Sequence, residues 1–391
     1  MTRRALPLAI LDLAPIVSGG TASQALRNSL DLARRAEAAG YHRHWVAEHH
    51  FTPGVASSAP MLLIGQIAAA TSAIRVGSAA VQTGHQTPLA IVEQFGILDA
   101  LFAGRIDLGL GRSGQRRSEA IAELARKRDP NRPRRPPEEA RIVDGLLIPK
   151  RFSYAKVFGS SRLKHLYRHL QQPGAETPDY REQVDEILGL LGGSLVTPEG
   201  DAVVAVPGRG ADVEVWIFGS SRGQSATVAG ELGLAFAANY HVSPATVLEA
   251  VDAYRAAFRP SERLAEPYVA VSADVVVARD DATARHLASP YALWVRSVRN
   301  GDGAIPFPTP EEAARHVWSA EDREMVADRV DTQFVGTPES VAGQLETLAD
   351  ATGADELVVT TITHDHADRV RSHELLAQEW FSRSPSEGAS P

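Results

Sequence analysis

The chain has no cysteine. That excludes disulfides, iron–sulfur clusters, thiolate zinc sites and a cysteine nucleophile, and leaves histidine, carboxylates, hydroxyls, arginine or an organic cofactor to carry chemistry. It also lacks any run of about eighteen uninterrupted apolar residues, the length a membrane-spanning helix needs. Arg3 and Arg4 precede an apolar run at 6–11 in the manner of an export signal, but Asp12 ends that run and no small-residue cleavage site follows. A cytoplasmic location without a membrane partner is the expectation. Positive charge is in deficit, with 40 Lys and Arg against 48 Asp and Glu for a net charge of −8, so nucleic acid is repelled unless a local patch reverses the sign. The 391 residues, 44% hydrophobic and 23% charged, fit a folded globular protein rather than disorder or coiled coil.

The hydrophobic pattern alternates between two periods. Short apolar runs suited to strands begin near residues 6, 41, 74, 106, 213, 234, 268 and 356. Between them lie stretches with helical spacing at 22–39, 61–71, 88–101, 224–232, 244–258 and 339–351, with a last helix at about 367–380. Eight parallel strands alternating with helices predict an α/β fold, a single (β/α)8 TIM barrel over residues 1–381, for which about 250 residues suffice. The surplus is placed in two insertions. One, at about 115–177 after the fourth strand, is Pro-broken and basic: 112–151 holds twelve Lys and Arg against six Asp and Glu. It reads as a solvated lid, because its charges lack the interleaved aromatics that stack on bases. The other, at about 278–334 after the seventh strand, is expected to be partly helical. Residues 382–391 are expected to form a disordered tail.

In such a barrel the chemistry sits at the C-terminal ends of the strands. Glu48-His49-His50-Phe51 follows the second strand. Adjacent histidines on extended chain point to opposite sides, so at most one faces the barrel mouth. After the fourth strand, Gly109, Gly111 and Gly114 satisfy the form GxGxxG, but they open a charged loop rather than the first helix of a doubly wound sheet, so a dinucleotide fingerprint is set aside. Arg112 beside them can grip a phosphate, and its glycines can let backbone approach a ligand. After the fifth strand, Gly219-Ser220-Ser221-Arg222-Gly223-Gln224-Ser225 runs into a helix, where free amides and the dipole favour an anion. Two histidine pairs, His42 with His44 and His364 with His366, raise a metal hydrolase as an alternative. The first pair enters its strand at the wrong end and no further ligands accompany the second, so no metal is expected.

These residues together resemble the luciferase-like flavin-dependent monooxygenases, the branch that includes secondary-metabolite monooxygenases. The resemblance rests on Ala39-Gly-Tyr with Trp45-Val-Ala-Glu-His-His-Phe51, Val76-Gly-Ser-Ala-Ala80, Gly104-Arg-Ile-Asp-Leu-Gly-Leu-Gly-Arg112, Phe218-Gly-Ser-Ser221 and Ala229-Gly-Glu-Leu-Gly-Leu234. It implies catalytic roles for His49 and Glu48 and a non-prolyl cis peptide at Ala79–Ala80 beneath the flavin. Ser78, Ala79 and Ala80 would lie along the ring, with Arg112, Ser220, Ser221, Gly223, Gln224 and Ser225 around the phosphate. The turn is one residue longer here than the family's Gly-Ser-Ser-Gly, which leaves open which serine binds. Phe51, His85, Tyr240 and His241 are expected in the substrate pocket from position alone.

The implied reaction uses reduced FMN from a separate NAD(P)H:flavin reductase. With O2 it forms a flavin C4a-peroxide that oxygenates a small organic substrate, and the long lid points to a bulky secondary metabolite. A homodimer through helices flanking the early strands is implied as well. The competing readings are a deazaflavin-dependent oxidoreductase on the same barrel and a non-enzymatic flavin-binding protein.

Overall fold

In a computed structural model, residues 6–112, 139–154, 157, 165–166 and 168–383 are described. Most of the expected basic lid (113–138 and much of 155–167) and all of the tail beyond 383 lie outside them.

Eight short runs form a closed parallel barrel: β1 Leu8–Asp12, β2 Arg43–Val46, β3 Arg75–Ser78, β5 Ile106–Gly111, β8 Glu214–Gly219, β9 Ala235–Asn239, β10 Val269–Val277 and β12 Glu356–Thr360. The strand order β10-β12-β1-β2-β3-β5-β8-β9 is closed by pairing of β9 with β10, Ala238 opposite Val271. Both faces of these strands are buried, the parallel-sheet condition that makes their sequences read as apolar runs rather than alternations. Within a run the period is still two. Ala9 and Leu11 point into the barrel with Trp45, Trp216 and Ala237, while Leu8, Ile10 and Val46 point outward beneath the helices.

Four short strands lie outside the eight. β4 Val81–Gln82 continues β3 after the Ala79–Ala80 peptide, which is cis, and pairs with the end of β5. β11 Phe334–Gly336 extends the C-terminal end of β10. β6 Arg141–Val143 and β7 Leu146–Ile148 form an antiparallel hairpin within the first insertion. Asp144 and Gly145 at its tip both have positive φ, 50° and 83°, which is what a two-residue type I′ turn requires. The hairpin is anchored by buried Leu146 and Ile148 and by the Tyr240 hydroxyl, which donates to Leu147 O at 2.6 Å. The second insertion folds as helices Asp281–Ala288, Tyr291–Arg299, Pro310–Ala314 and Ala320–Val330.

The two ends of the barrel differ in kind. At the N-terminal end Arg43 donates to Asp107 (2.9 Å), Glu214 (2.9 Å) and Glu356 (3.0 Å). Above that ionic layer lie Trp45 and Trp216, ring centroids 5.0 Å apart, and Trp45 Nε1 donates to Asp107 at 2.8 Å. The C-terminal end is open.

Candidate functional site

A cavity of about 420 Å³ occupies the C-terminal mouth, within the range that holds a cofactor or drug-sized ligand. Its floor and walls are largely apolar: Leu11, Leu13, Trp45, Val55, Phe218, Trp294 and Ile362. A second, smaller space of about 40 Å³ is lined by Arg112, Phe218, Gly219, Ser220, Ser221 and Ser225; the first four of these also line the large cavity. It sits at the start of the helix Gln224–Glu231, whose first turn no side chain caps. Uncapped amides, three hydroxyls and a guanidinium in one small space form an anion site. Arg112 is steered there by Gln224, whose Oε1 accepts from Arg112 Nη1 at 3.2 Å while its Nε2 donates to Asp179 at 2.7 Å. Gly223 is not required by space there, since a Cβ would stand in ordinary contact 3.8 Å from Arg112 Nη2.

Backbone crowding explains the glycines of β5. A Cβ on Gly109 would lie 2.0 Å from Ser78 O, and one on Gly111 3.1 Å from the Ala80 Cβ. Gly109 therefore lets two strands approach each other rather than a ligand, while Gly111 lines the cavity. Ser78 is committed to the same junction: its hydroxyl donates to Gly109 O at 2.9 Å and accepts from Gly109 N at 3.0 Å. It is buried behind the cavity, whereas Ala79 and Ala80 line it.

Glu48 and His49 both line the cavity, in different states. Both oxygens of Glu48 are engaged, Oε1 with His50 Nε2 at 2.8 Å and Oε2 with the Gln82 amide at 2.9 Å, and Gln82 Nε2 donates back to Glu48 O at 2.8 Å. That closed network ties the loop after β2 together and commits both carboxylate oxygens of Glu48 to it. The His49 imidazole has no hydrogen-bond partner among the described residues, and its exposed surface opens onto the cavity. The surrounding walls of the mouth desolvate the ring although its surface stays open to the cavity, and this pushes its pKa down to about 4, with the Glu48 charge offsetting only part of that, so it is neutral at pH 7.

Of the four expected pocket residues, His241 lines the cavity and the other three do not. Phe51 is turned out at φ 55° and 41% exposed, near the His169 ring. His85 is bound to Gln82 Oε1 at 3.1 Å, and Tyr240 packs in the outer core. His44 faces Asp12 at 3.4 Å, His364 bonds Ser18 O at 3.0 Å and His366 bonds Asp31 at 3.0 Å.

A polar group missing from the sequence reading lies across the cavity: Asp274 on β10, and Arg329 with Tyr291 on the helices of the second insertion. Tyr291 donates to Asp274, and Arg329 Nη2 donates to Asp274 at 3.2 Å and to the Tyr291 oxygen at 2.7 Å. Burial raises the Asp274 pKa, and the Arg329 charge opposes that rise. One signal was in the sequence, a carboxylate inside an otherwise uncharged nine-residue strand.

Comparison with known proteins places this arrangement among relatives. A family model described as luciferase-like monooxygenase matches residues 7–356. The chain is 38% identical over 380 residues to the uncharacterized protein YvbT of Bacillus subtilis, covering 96% of this chain and 97% of that one. It is 33% identical over 376 residues to a luciferase-like monooxygenase of Escherichia coli K12, covering 96% and 97%. Among solved structures, apo-MsnO8 superposes with a TM-score of 0.72 at 31% identity, covering 98% and 99%. Two more distant structures share the fold. One is the oxygenating constituent of 3,6-diketocamphane monooxygenase from Pseudomonas putida, in complex with FMN (TM-score 0.63, 19% identity, 97% and 99% covered). The other is an F420-dependent secondary alcohol dehydrogenase (0.59, 14%, 96% and 99%).

Proposed function

The chain belongs to the luciferase-like monooxygenase family, and from that premise we propose that it inserts oxygen from O2 into an organic substrate using reduced FMN delivered by a separate NAD(P)H:flavin reductase. One observation supports a flavin-type cofactor: the small space lined by Arg112, Ser220, Ser221 and Ser225 opens into an apolar cavity floored by Trp45 and edged by Ala79 and Ala80. A flat heteroaromatic ring with a phosphate at the end of a short polyol fits that pairing. An orphaned acceptor supports it, since Asn239 Oδ1 on the cavity wall is buried without a partner among the described residues. When bound, reduced flavin supplies the two electrons that activate O2.

The residues of the chain do the rest. Arg112 and the serines hold the phosphate, with Gln224 orienting Arg112. The apolar walls exclude water, which protects a reactive oxygen species from wasteful decay. His49, neutral at pH 7, can accept a proton on one ring nitrogen and donate a hydrogen bond from the other at the cavity face, and the Glu48–His50–Gln82 network holds its loop in register. We further propose a homodimer through the adjacent helices Pro60–Ala70 and Pro88–Leu101, which leave Leu62, Ile97 and Leu101 49–75% exposed. Sedimentation at twice the chain mass, reduced to the single chain by Leu62→Glu with Leu101→Glu, is the expected result; a wild-type monomer refutes it.

The reading is tested by anaerobic titration with reduced FMN and, separately, with reduced deazaflavin, followed by mixing with oxygenated buffer. Tight binding of reduced FMN with oxygen uptake faster than for free reduced FMN is expected. Selective binding of the deazaflavin without oxygen uptake would replace the monooxygenase with a hydride-transfer enzyme.

A further inference from the structure

Arg329 lines the cavity yet is only 5% exposed, so the direction and spare bonding capacity of its guanidinium are fixed by its neighbours. The tyrosine and tryptophan rings at 291 and 294 hold it, with Cζ 5.3 and 5.7 Å from their centroids. Nη2 is spent on Asp274 and the Tyr291 oxygen. Nε is sealed in without a partner among the described residues. Nη1 has no hydrogen bond there either and is not among the sealed atoms, so it is the donor left facing the cavity. His241 presents the complementary group. Its Nδ1 lies 2.6 Å from Ser272 Oγ, and that hydroxyl donates to Ala238 O at 3.4 Å. With the Ser272 proton directed at Ala238 O, Ser272 accepts from His241 Nδ1–H and Nε2 carries the lone pair, and this tautomer is part of what is proposed.

The charges decide what these two groups select. Arg329 is balanced by Asp274, and His241 is neutral because burial, reinforced by the Arg329 charge, pushes its pKa down to about 3. The net charge of this end of the cavity is zero. A carboxylate drawn to Nη1 would arrive as an uncompensated buried charge, whereas an uncharged oxygen acceptor satisfies Nη1 without that cost.

We propose, building on the monooxygenase reading, that the side of the cavity formed by β10 and the helices Tyr291–Arg299 and Ala320–Val330 selects an uncharged substrate. Its carbonyl-type oxygen accepts from Arg329 Nη1, and a neighbouring N–H or O–H donates to His241 Nε2. A carboxamide is the simplest head group of this class. The body of the molecule lies on Leu13, Val55, Trp294, Val298 and Ile362.

The test uses the full-length FMN-loaded protein and three probes with one apolar body: phenylacetamide, its N,N-dimethyl form and phenylacetate. Binding is read by tryptophan fluorescence, and FMN affinity is measured independently by flavin fluorescence. Phenylacetamide is expected to bind about tenfold more tightly than either of the others, the scale of one hydrogen bond lost or one charge uncompensated. Asp274→Asn unmasks the Arg329 charge and should reverse the order in favour of phenylacetate. His241→Phe should abolish discrimination between phenylacetamide and the dimethyl form, which keeps the inference falsifiable if the Asp274 variant does not fold. Equal binding of all three by the wild type, or preference for phenylacetate, overturns the inference while leaving FMN binding intact. The expected order in a protein that binds no FMN upholds it and refutes the cofactor reading instead.

Discussion

His49 combines an imidazole open to the cavity with a setting that disfavours its cation. The folded pKa of about 4 lies below the ordinary 6.5, so between those values the unfolded chain binds a proton that the folded protein does not. The stabilising effect of keeping it neutral is therefore complete above about pH 6.5 and lost as pH falls toward 4. An NMR titration of the His49 ring should show a midpoint near 4, and a midpoint at the ordinary 6.5 would refute the burial-driven shift. At Arg112 the expectation is about binding. Arg112→Ala removes a charged donor from the anion site and should weaken FMN binding by about 1.5–3 kcal/mol, roughly ten- to a hundredfold in Kd, with little effect on riboflavin, which lacks the phosphate. Loss of both ligands in equal measure would show that Arg112 supports the fold instead. Glu48, His49, Arg112 and the serines were legible because each directly follows an apolar strand. Asp274 was legible only as a misplaced charge, and Arg329 and Tyr291 not at all, since their meeting depends on how two insertion helices return to the barrel mouth.

Elements are joined by connections that pattern reading does not weigh. Glu37, near the end of the helix Ala22–Ala38, accepts from the amides of Ser72, Ala73 and Ile74 and from the Ser72 hydroxyl, and so ties the first helix to the turn that opens β3. Burial alone would raise its pKa, but these hydrogen bonds hold it at about 2. Its contribution is fully present above about pH 4.5 and is lost as pH falls toward 2. Glu37→Gln should lower stability by about 1–2 kcal/mol at pH 7, allowing for solvent screening, and the gap in urea midpoints should narrow at pH 3. A gap independent of pH would refute the ionic tie. The eight barrel strands were visible because burial on both faces writes each as an unbroken apolar run. The β6–β7 hairpin was overlooked although Asp144-Gly145 is a strong turn signal, because charges and prolines dominate the surrounding composition. The helix Tyr180–Gly192, capped by Asp179 and ended by Gly193 in the left-handed region, was hidden by its place behind the insertion, where the regular alternation gave no reason to look.

Across the whole molecule, the barrel separates stability from chemistry along its axis. The N-terminal end is closed by Arg43 among Asp107, Glu214 and Glu356, the tryptophan pair lies above, and the cavity begins only on the far side of those rings. Such a buried cluster stabilises little relative to an apolar plug of equal volume, yet removing Arg43 leaves the buried Glu356 without a cation, since among the described residues Arg75 pairs only with Asp107 (2.6 Å) and Glu214 (3.2 Å). Arg43→Met should therefore cost about 3–5 kcal/mol in chemical denaturation, and adding Glu356→Leu should recover much of it, while FMN affinity of the folded protein is unchanged in both. The pH dependence gives the same cluster a second signature. Burial pushes the Glu356 pKa up to about 7 even with Arg43 opposing, so between about 4.5 and 7 the folded protein holds a proton that the unfolded chain has released. Stability contributed by this group consequently falls as pH rises through that window. Removing Arg43 takes away the charge that restrains the shift, so in Arg43→Met the fall, at most about 1.4 kcal/mol per pH unit for one proton, should continue above pH 7, and it should vanish in the double variant. If the fall in the single variant instead ends near pH 7 as in the wild type, Glu356 is relieved by solvent, and the barrel floor is not the sealed layer that its burial describes.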